Sequence, residues 1–131
     1  MNDIINLKAT IPNATARQVF EAWLDSRKHA DFTGDQADIQ PGVGCSFTIS
    51  GGYITGKNLE LKPYQRIVQA WRTTEFPDDA PDSWLEVLLE DTPAGCVLTL
   101  NQKKLPEDQV ESYRSGWIEY YFEPLQKYFS K

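Results

Sequence analysis

The sequence is poor in the residue types that build metal and nucleophilic centres. It holds two cysteines, one histidine and one methionine among 131 residues. One histidine and two distant cysteines do not make a zinc site, which takes ligands at short, regular spacings. In the absence of an export signal, Cys45 and Cys96 are predicted to be buried structural thiols rather than a disulfide. We therefore expect no metal and no cofactor.

Basic residues are also in deficit, and long apolar runs are missing. Lys and Arg number 13 against 19 Asp and Glu, so the net charge is −6. Such a chain is repelled by phosphate backbones and anionic membranes, which argues against nucleic-acid binding. No apolar run approaches the ~20 residues of a membrane helix, and MNDIINLKAT lacks the charge order of a signal peptide. We expect a cytoplasmic protein without membrane insertion.

What is present is typical of one globular domain spanning residues 1–131. Residues 3–11 alternate and predict a half-buried strand. Thr15 and Gln18 form a capping-box pattern that opens a helix, and a second short helix is predicted over about 26–32, with Ser26 as its cap. From residue 38 the hydrophobic period becomes two. The strands predicted there are 45–49, 53–61, 66–74, 83–91 and 96–102.

The chain ends on an unusually aromatic helix that contains GWIEYYFEPLQKY. On a helical wheel its apolar arc spans about 200°. That is too wide for a helix resting on a flat sheet, and it predicts a helix gripped by a curved antiparallel sheet. Pro124 removes one backbone donor and should kink this helix near Tyr120. The predicted fold is thus α+β, with a curved antiparallel sheet around a long last helix and the space between sheet and helix as its natural pocket.

One polar residue, Arg114, falls inside the apolar arc of the predicted last helix. Either it reaches from the helix edge to water or stacks on a ring, or it serves as an anion hook at the pocket mouth, with Glu111 as a partner. The residues predicted to face the sheet–helix space are Phe47, Trp71, Leu98, Arg114, Trp117 and Tyr121.

Two other stretches invite a functional interpretation. GGYITGK resembles a phosphate-binding loop, but Asn58 follows in place of Ser or Thr and no helix comes next, so a turn or bulge is expected. His29 lies on a short polar helix and is expected to be exposed. The acidic loop FPDDAPDS carries Asp78, Asp79 and Asp82 beside Trp84, an outward-facing indole suited to contact a protein partner.

These pieces together resemble a known family. ATIPNATARQVFEAW, GVGCSFTISGGYITGKNLELKP, RIVQAWR and GWIEYYFEPLQKYF are similar, in order, to the carboxy-terminal domain of the activator of heat-shock protein 90 ATPase and its bacterial single-domain relatives, within the START-like (SRPBCC) helix-grip superfamily. The resemblance implies a curved sheet of about seven strands around the last helix and no enzymatic residues. In the eukaryotic co-chaperones, it implies contact with the amino-terminal region of the chaperone. Many superfamily members bind apolar ligands in the cavity.

Three functions follow as hypotheses. The first is a non-enzymatic binding module with a hydrophobic pocket for a small lipid-like or aromatic ligand. The second is a co-chaperone-like module that contacts a heat-shock protein 90 homologue through Trp84 and the acidic loop. The third, an enzyme using Arg114, Glu111 or a tyrosine for acid–base chemistry, lacks any paired titratable constellation in the sequence.

Overall fold

A seven-stranded antiparallel sheet is the frame against which the helices pack. The computed structural model describes residues 3–130, and the strands run in the order β1-β7-β6-β5-β4-β3-β2. Neighbours in sequence are neighbours in the sheet from β2 to β7, so only β1 joins from a distance, by pairing with β7. The strands are β1 (Ile5–Ile11), β2 (Ala37–Ile39), β3 (Ser46–Ile49), β4 (Ile54–Lys62), β5 (Arg66–Thr73), β6 (Ser83–Thr92) and β7 (Gly95–Lys103).

The helices lie in the connection between β1 and β2 and in the segment that follows β7. Helices α1 (Ala16–Leu24) and α2 (Ser26–Thr33) lie between β1 and β2. After β7, the chain forms what we call the C-terminal helix, residues 107–128. It comprises a single 3₁₀ turn (Glu107–Gln109), α3 (Val110–Trp117), a π-helical segment (Ile118–Phe122) and α4 (Glu123–Tyr128). No helix in residues 3–130 has the length and apolar character needed to span a membrane.

The helix starts follow from local hydrogen bonding. The predicted capping box of α1 is confirmed, since the Thr15 hydroxyl accepts from the Gln18 backbone and the Gln18 side chain accepts from the Thr15 backbone. The start of α2 differs from the prediction by one residue. Asp25 caps it by accepting from the Lys28 N–H, and Ser26 is its first residue, with a hydroxyl that bonds to Ile39 instead.

The core lies between the curved sheet and the helices, and strand alternation selects its members. On β5, the alternating residues Ile67, Gln69, Trp71 and Thr73 are all buried. On β6, Leu85, Val87 and Leu89 are buried while the residues between them are less so. The α+β helix-grip architecture expected from the sequence is confirmed.

The irregularity predicted near Tyr120 takes the form of the π-helical segment. Pro124 has no backbone N–H to donate to the Tyr120 carbonyl, and the preceding residue, Glu123, donates to the carbonyl of Ile118, five residues back. The wider turn lets two consecutive aromatic residues, Tyr121 and Phe122, both be buried.

The C-terminal helix also covers the free edge of β1. The Gln126 side chain donates to the Thr10 carbonyl at 3.0 Å, and Arg114 Nη2 lies 3.5 Å from the Ile4 carbonyl. Thr10 lies in β1 and Ile4 directly precedes it, and β1 has only one strand neighbour. The two contacts therefore reduce the capacity of that edge to pair with another chain.

The glycines of GGYITGK serve the sheet. Gly51 and Gly52 lie in the turn before β4, and Gly56 lies within β4, opposite Phe47 on β3 and Trp71 on β5. A Cβ at Gly56 would stand 2.1 Å from the Ala70 carbonyl oxygen and 2.4 Å from the Phe47 ring. A strand follows these glycines where a phosphate-binding loop requires a helix, and Gly51 and Gly52 form the expected turn. A bulge lies further along β4, between Asn58 and Glu60.

Gly56→Ala should therefore destabilise the protein by about 2 kcal/mol or more, because the methyl group overlaps backbone that cannot yield cheaply. Gly116→Ala is the matched control. A Cβ there meets only Tyr120 Cδ2, at 3.7 Å, and Ala in a helix is favoured over Gly by up to about 1 kcal/mol. Urea unfolding followed by circular dichroism measures both. Equal effects at the two positions would contradict the close packing around Gly56.

Candidate ligand-binding pocket

A pocket of about 400 Å³ opens between the C-terminal helix and the end of the sheet formed by β3, β4 and β5. The residues after α2 close a third side. Tyr113, Gly116, Trp117 and Tyr120 follow the spacing i, i+3, i+4, i+7 and therefore share the helix face that forms one wall. The full lining is Thr33, Asp35, Ile49, Ser50, Tyr53, Ile54, Trp71, Thr73, Ser112, Tyr113, Gly116, Trp117, Tyr120 and Tyr121.

The inner wall is a continuous cluster of aromatic rings. Trp71 lies against Tyr113 and Trp117, with centroid distances of 5.3 and 5.5 Å, and Trp117 lies 4.8 Å from Tyr121. Each of these contacts is within the range in which ring pairs attract beyond their burial. Trp23 stacks on the far side of Trp117 at 6.0 Å, so the wall is supported from behind.

Behind that wall the interior is filled. A separate void of about 10 Å³ is lined by residues that include Trp23, His29, Phe47 and Gln69. That volume is near the lower limit for one water molecule. Within the space between sheet and helix, an occupant larger than a water molecule therefore fits only in the pocket between the C-terminal helix and β3–β5.

A buried chain of hydrogen bonds ties the C-terminal helix to the sheet. The Trp117 indole N–H donates to Gln102 at 2.8 Å, Gln102 donates to the Ser83 hydroxyl at 3.1 Å, and Ser83 donates to the Trp71 carbonyl at 2.7 Å. Gln102 and Ser83 are almost fully buried. Because every link is satisfied, these polar side chains incur no penalty from the core, and they fix where the helix crosses the sheet.

A second hydrogen-bonded chain lies along the pocket. The Tyr113 hydroxyl donates to Gln109 at 2.6 Å and meets Thr73 at 2.7 Å, while the Gln109 amide donates to the Glu75 carbonyl at 2.8 Å. Tyr53, across the pocket, donates to the Glu75 carboxylate. Burial and the nearby Glu75 charge raise the pKa of Tyr53 to about 12, and burial raises that of Tyr113.

His29 is not exposed, contrary to the expectation from its polar helix. It is 1% exposed, with Nδ1 2.9 Å from the Trp23 carbonyl and Nε2 2.9 Å from the Tyr121 hydroxyl. A carbonyl can only accept, so Nδ1 carries the hydrogen and the neutral ring accepts at Nε2 from Tyr121. Burial lowers the pKa of His29 to about 4 and raises that of Tyr121. No sequence pattern indicates this pair, because Tyr121 lies 92 residues away from His29.

Three of the six residues predicted to face the sheet–helix space line the pocket, namely Trp71, Trp117 and Tyr121. Phe47 lines only the small void and covers Gly56, and Leu98 is fully buried in the core of β7. The cysteine prediction is correct for Cys96, which is buried, whereas Cys45 is only half-buried just before β3.

Arg114 lies outside the pocket, which corrects its predicted position in the sheet–helix space. Its guanidinium is 3.4 Å from Glu111 and also approaches the Ile4 carbonyl. The wheel placed its Cα correctly within the apolar arc, but a long side chain carries its charge past the edge strand to water. The structure thus favours the interpretation of an arginine that reaches from the helix edge.

The sequence reasoning did not assign Gly116, Thr73, Tyr53 or Asp35 to the pocket. Gly116 could have been predicted from the sequence. Glycine is unfavourable inside a helix, so its presence there indicates a position at which a side chain would fill needed space. Asp35 and Tyr53 follow turns at Gly34 and Gly51–Gly52, and only the tertiary fold brings them together.

The predicted partner surface lies on the other face of the sheet. Asp78 and Asp79 are exposed. Asp82 pairs with Arg72 at 3.0 Å, and Arg72 also donates to the Ala80 and Pro77 carbonyls, so the loop is held in place. Trp84 is half-buried, with the Lys103 ammonium 4.4 Å from its ring centroid.

A curved sheet gripping one C-terminal helix, with a pocket between them, defines a START-like helix-grip protein. The structure matches an HSP90 activator from Plasmodium falciparum with a TM-score of 0.86, at 17% identity, over 97% of this chain and 96% of that one. It also matches the Aha1 dimer from Colwellia psychrerythraea, with a TM-score of 0.76 at 14% identity and 89% coverage of each chain. At these identities the likeness shows the fold alone.

Sequence comparison identifies the family. The chain belongs to the family of the Activator of Hsp90 ATPase homolog 1-like protein, whose model matches residues 13–130. The human Activator of 90 kDa heat shock protein ATPase homolog 1 is 26% identical over 125 residues, covering 95% of this chain and 36% of the human protein. A Dictyostelium discoideum homologue is 24% identical over 98 residues, covering 75% of this chain and 26% of its own length. The chain thus spans little more than a third of the human relative.

Since His29 is the only histidine, its ionisation is directly observable. Its imidazole NMR signal should titrate near pH 4 instead of 6.5. Below pH 6.5 the unfolded chain takes up a proton that the native state does not, so the free energy of unfolding should fall by about 3 kcal/mol between pH 6.5 and 4 from this residue.

His29→Gln is the control for that loss. The glutamine amide can donate to Trp23 and accept from Tyr121, but it does not titrate. Its urea unfolding should therefore lose the pH dependence between 6.5 and 5, where few carboxylates contribute. A native His29 midpoint near 6.5 would contradict the buried neutral ring.

Proposed function

We propose that this protein is a non-enzymatic, cytoplasmic binding module that holds a small, largely apolar molecule in the pocket between the C-terminal helix and β3–β5. The observation that carries the proposal is the pocket itself, at about 400 Å³ and walled by aromatic rings. Pockets that bury small organic ligands are typically about 300–1,000 Å³. The pocket is therefore large enough for a bicyclic or tricyclic aromatic molecule.

The polar groups of the pocket favour ligand binding over acid–base catalysis. Tyr53 and Tyr113 have raised pKa values, so their phenols stay protonated at neutral pH. Arg114 and Glu111, the acid–base pair considered from the sequence, interact with each other outside the pocket. A general acid or base works best with a pKa near the operating pH. The pKa values of Tyr53 and Tyr113 are instead raised further above neutral pH.

The direct experiment is native mass spectrometry of the freshly purified protein, paired with a denaturing spectrum. We expect an extra mass that survives gentle ionisation and disappears on unfolding. If only the bare polypeptide mass is observed, the uncharged, polarity-sensitive dye prodan provides the second test, because it needs no natural ligand. Failure to bind prodan as well would overturn the proposal.

Gly116→Phe should abolish prodan binding. The glycine lines the pocket, and a Cβ there makes only an ordinary contact with Tyr120 Cδ2 at 3.7 Å. A phenyl ring at this position therefore occupies the binding volume without removing any core residue. Ser115→Phe, on the adjacent exposed position of the same helix, is the matched control and should bind prodan as the parent does. Fluorescence titration measures both, and thermal melting checks that both variants are folded. Unchanged binding by folded Gly116→Phe would place the dye elsewhere.

The second candidate function is contact with a heat-shock protein 90 homologue. Family membership supports it, as does the exposed acidic loop that Arg72 holds beside Trp84. Exposed charges arranged on an ordered loop steer association with a basic surface. The pocket and this loop are different parts of the molecule, so the two functions do not exclude each other.

Reversing the loop charges tests this second function. The double variant Asp78→Lys with Asp79→Lys should weaken binding to a purified heat-shock protein 90 homologue by about tenfold at low salt, with a smaller effect at high salt. Asp31→Lys with Asp38→Lys, two exposed reversals on α2 and β2, changes the net charge by the same amount and is the control. Biolayer interferometry gives the affinities. If the parent shows no binding at tens of micromolar, or if both variants weaken it equally, the loop is not the contact surface.

A further inference from the structure

Five of the eight hydroxyl groups that line the pocket direct their hydrogens into the protein. Thr33 donates to the His29 carbonyl at 2.7 Å, Tyr53 donates to Glu75, and Tyr113 donates to Gln109 at 2.6 Å. Each of these residues lines the pocket. A hydroxyl has one hydrogen and two lone pairs, so a group whose hydrogen is committed can offer a ligand only an acceptor.

Two more lining hydroxyls are committed by the same reasoning. Because the Tyr113 hydrogen goes to Gln109, the 2.7 Å contact between Tyr113 and Thr73 requires Thr73 to donate. Because neutral His29 accepts at Nε2, Tyr121 donates to it. The other lining hydroxyls belong to Ser50, Ser112 and Tyr120, and the last two lie at the exposed rim.

The charges around the pocket have one sign. Asp35 lines it, and the carboxylate of Glu75 contacts Tyr53 at its wall. None of the lining residues in the described part of the chain is a lysine, an arginine or a histidine. The arginines nearest in sequence are engaged elsewhere, Arg72 with Asp82 on the other side of β5 and Arg114 with Glu111. A carboxylate ligand would meet repulsion here and few donors.

The aromatic wall of the pocket also favours a positively charged ligand. The face of an indole or phenol ring carries partial negative charge, which attracts a cation placed over it. Trp71, Trp117 and Tyr120 all line the pocket. Tyr120 is 60% exposed and stands at the mouth, where a charged end of a ligand would remain partly hydrated.

From these observations we infer that the pocket selects molecules with an aromatic body and an ammonium or similar hydrogen-bond-donating group, and that it rejects carboxylates. This inference rests on the proposed binding function and specifies the chemistry of its ligand. Acceptor oxygens, acidic side chains and ring faces all favour a positive, donating group, and Asp35 is the residue that would hold it.

Three probes of equal shape test the inference by displacement of prodan, namely naphthylethylammonium, naphthylethanol and naphthylacetate. We expect the ammonium to compete at least about tenfold more strongly than the carboxylate, with the alcohol between them. The preference should shrink in high salt, because the mouth of the pocket is open to solvent.

Asp35→Asn isolates the charge at the mouth. It should weaken the ammonium probe by about fivefold while leaving the alcohol unchanged, and Asp31→Asn, an exposed change on α2 outside the pocket, should alter neither. An equal loss for ammonium and alcohol would mean that Asp35 acts on the shape of the pocket, and would overturn its assignment.

The outcomes separate this inference from the binding function on which it rests. If prodan binds and naphthylacetate competes as strongly as naphthylethylammonium, the charge preference is wrong and the pocket still binds. If neither prodan nor any of the three probes binds, the binding function fails and the preference fails with it.

Discussion

The burial of one indole N–H organises this fold. Trp117 must bury its ring to complete the core, and a buried donor without a partner costs about 1–3 kcal/mol. Gln102, near the end of β7, is the acceptor that resolves this constraint, and its own amide is satisfied in turn by Ser83. This hydrogen bond holds the C-terminal helix in its register on the sheet. In that register, Gly116 and Tyr113 lie over β5. Because Gly116 has no side chain, the space beside the aromatic rings stays open and forms the pocket.

Much of the fold could be predicted because its signals are local. Alternation over residues 3–11 and the Thr15–Gln18 capping box each need only a few neighbouring residues to be recognised. The site was less accessible, since its chemistry depends on pairs far apart in sequence. Neither His29 with Tyr121 nor Thr73 with Tyr113 is visible as a pattern, and a helical wheel gives the direction of Arg114 at its Cα but not the end point of a long side chain.

The acidic loop and the pocket lie on different surfaces of the protein, but both pack against the same buried residue. Phe76, buried at the start of the loop, lies 6.1 Å from Trp71 and 5.9 Å from Tyr113, two residues of the pocket wall. On its other side the Arg72 guanidinium lies 5.4 Å from the Phe76 ring and also holds Asp82. A well-packed interior transmits displacement, so movement of the wall and movement of the loop are mechanically linked through one phenyl ring.

The pairing of β1 with β7 has a consequence for biosynthesis. Seven residues of the first strand find their partners about 85 to 97 positions later, from Ile11 with Cys96 to Ile5 with Gln102. Loop closure over such a distance is slow compared with hairpin formation, so the strands from β2 to β7 can assemble as they emerge while β1 waits unpaired. The C-terminal helix, which fills the concave face, is translated after all seven strands. A nascent chain therefore presents an uncovered apolar sheet until residues 107–128 appear, and this is the stage at which such chains are most prone to aggregate.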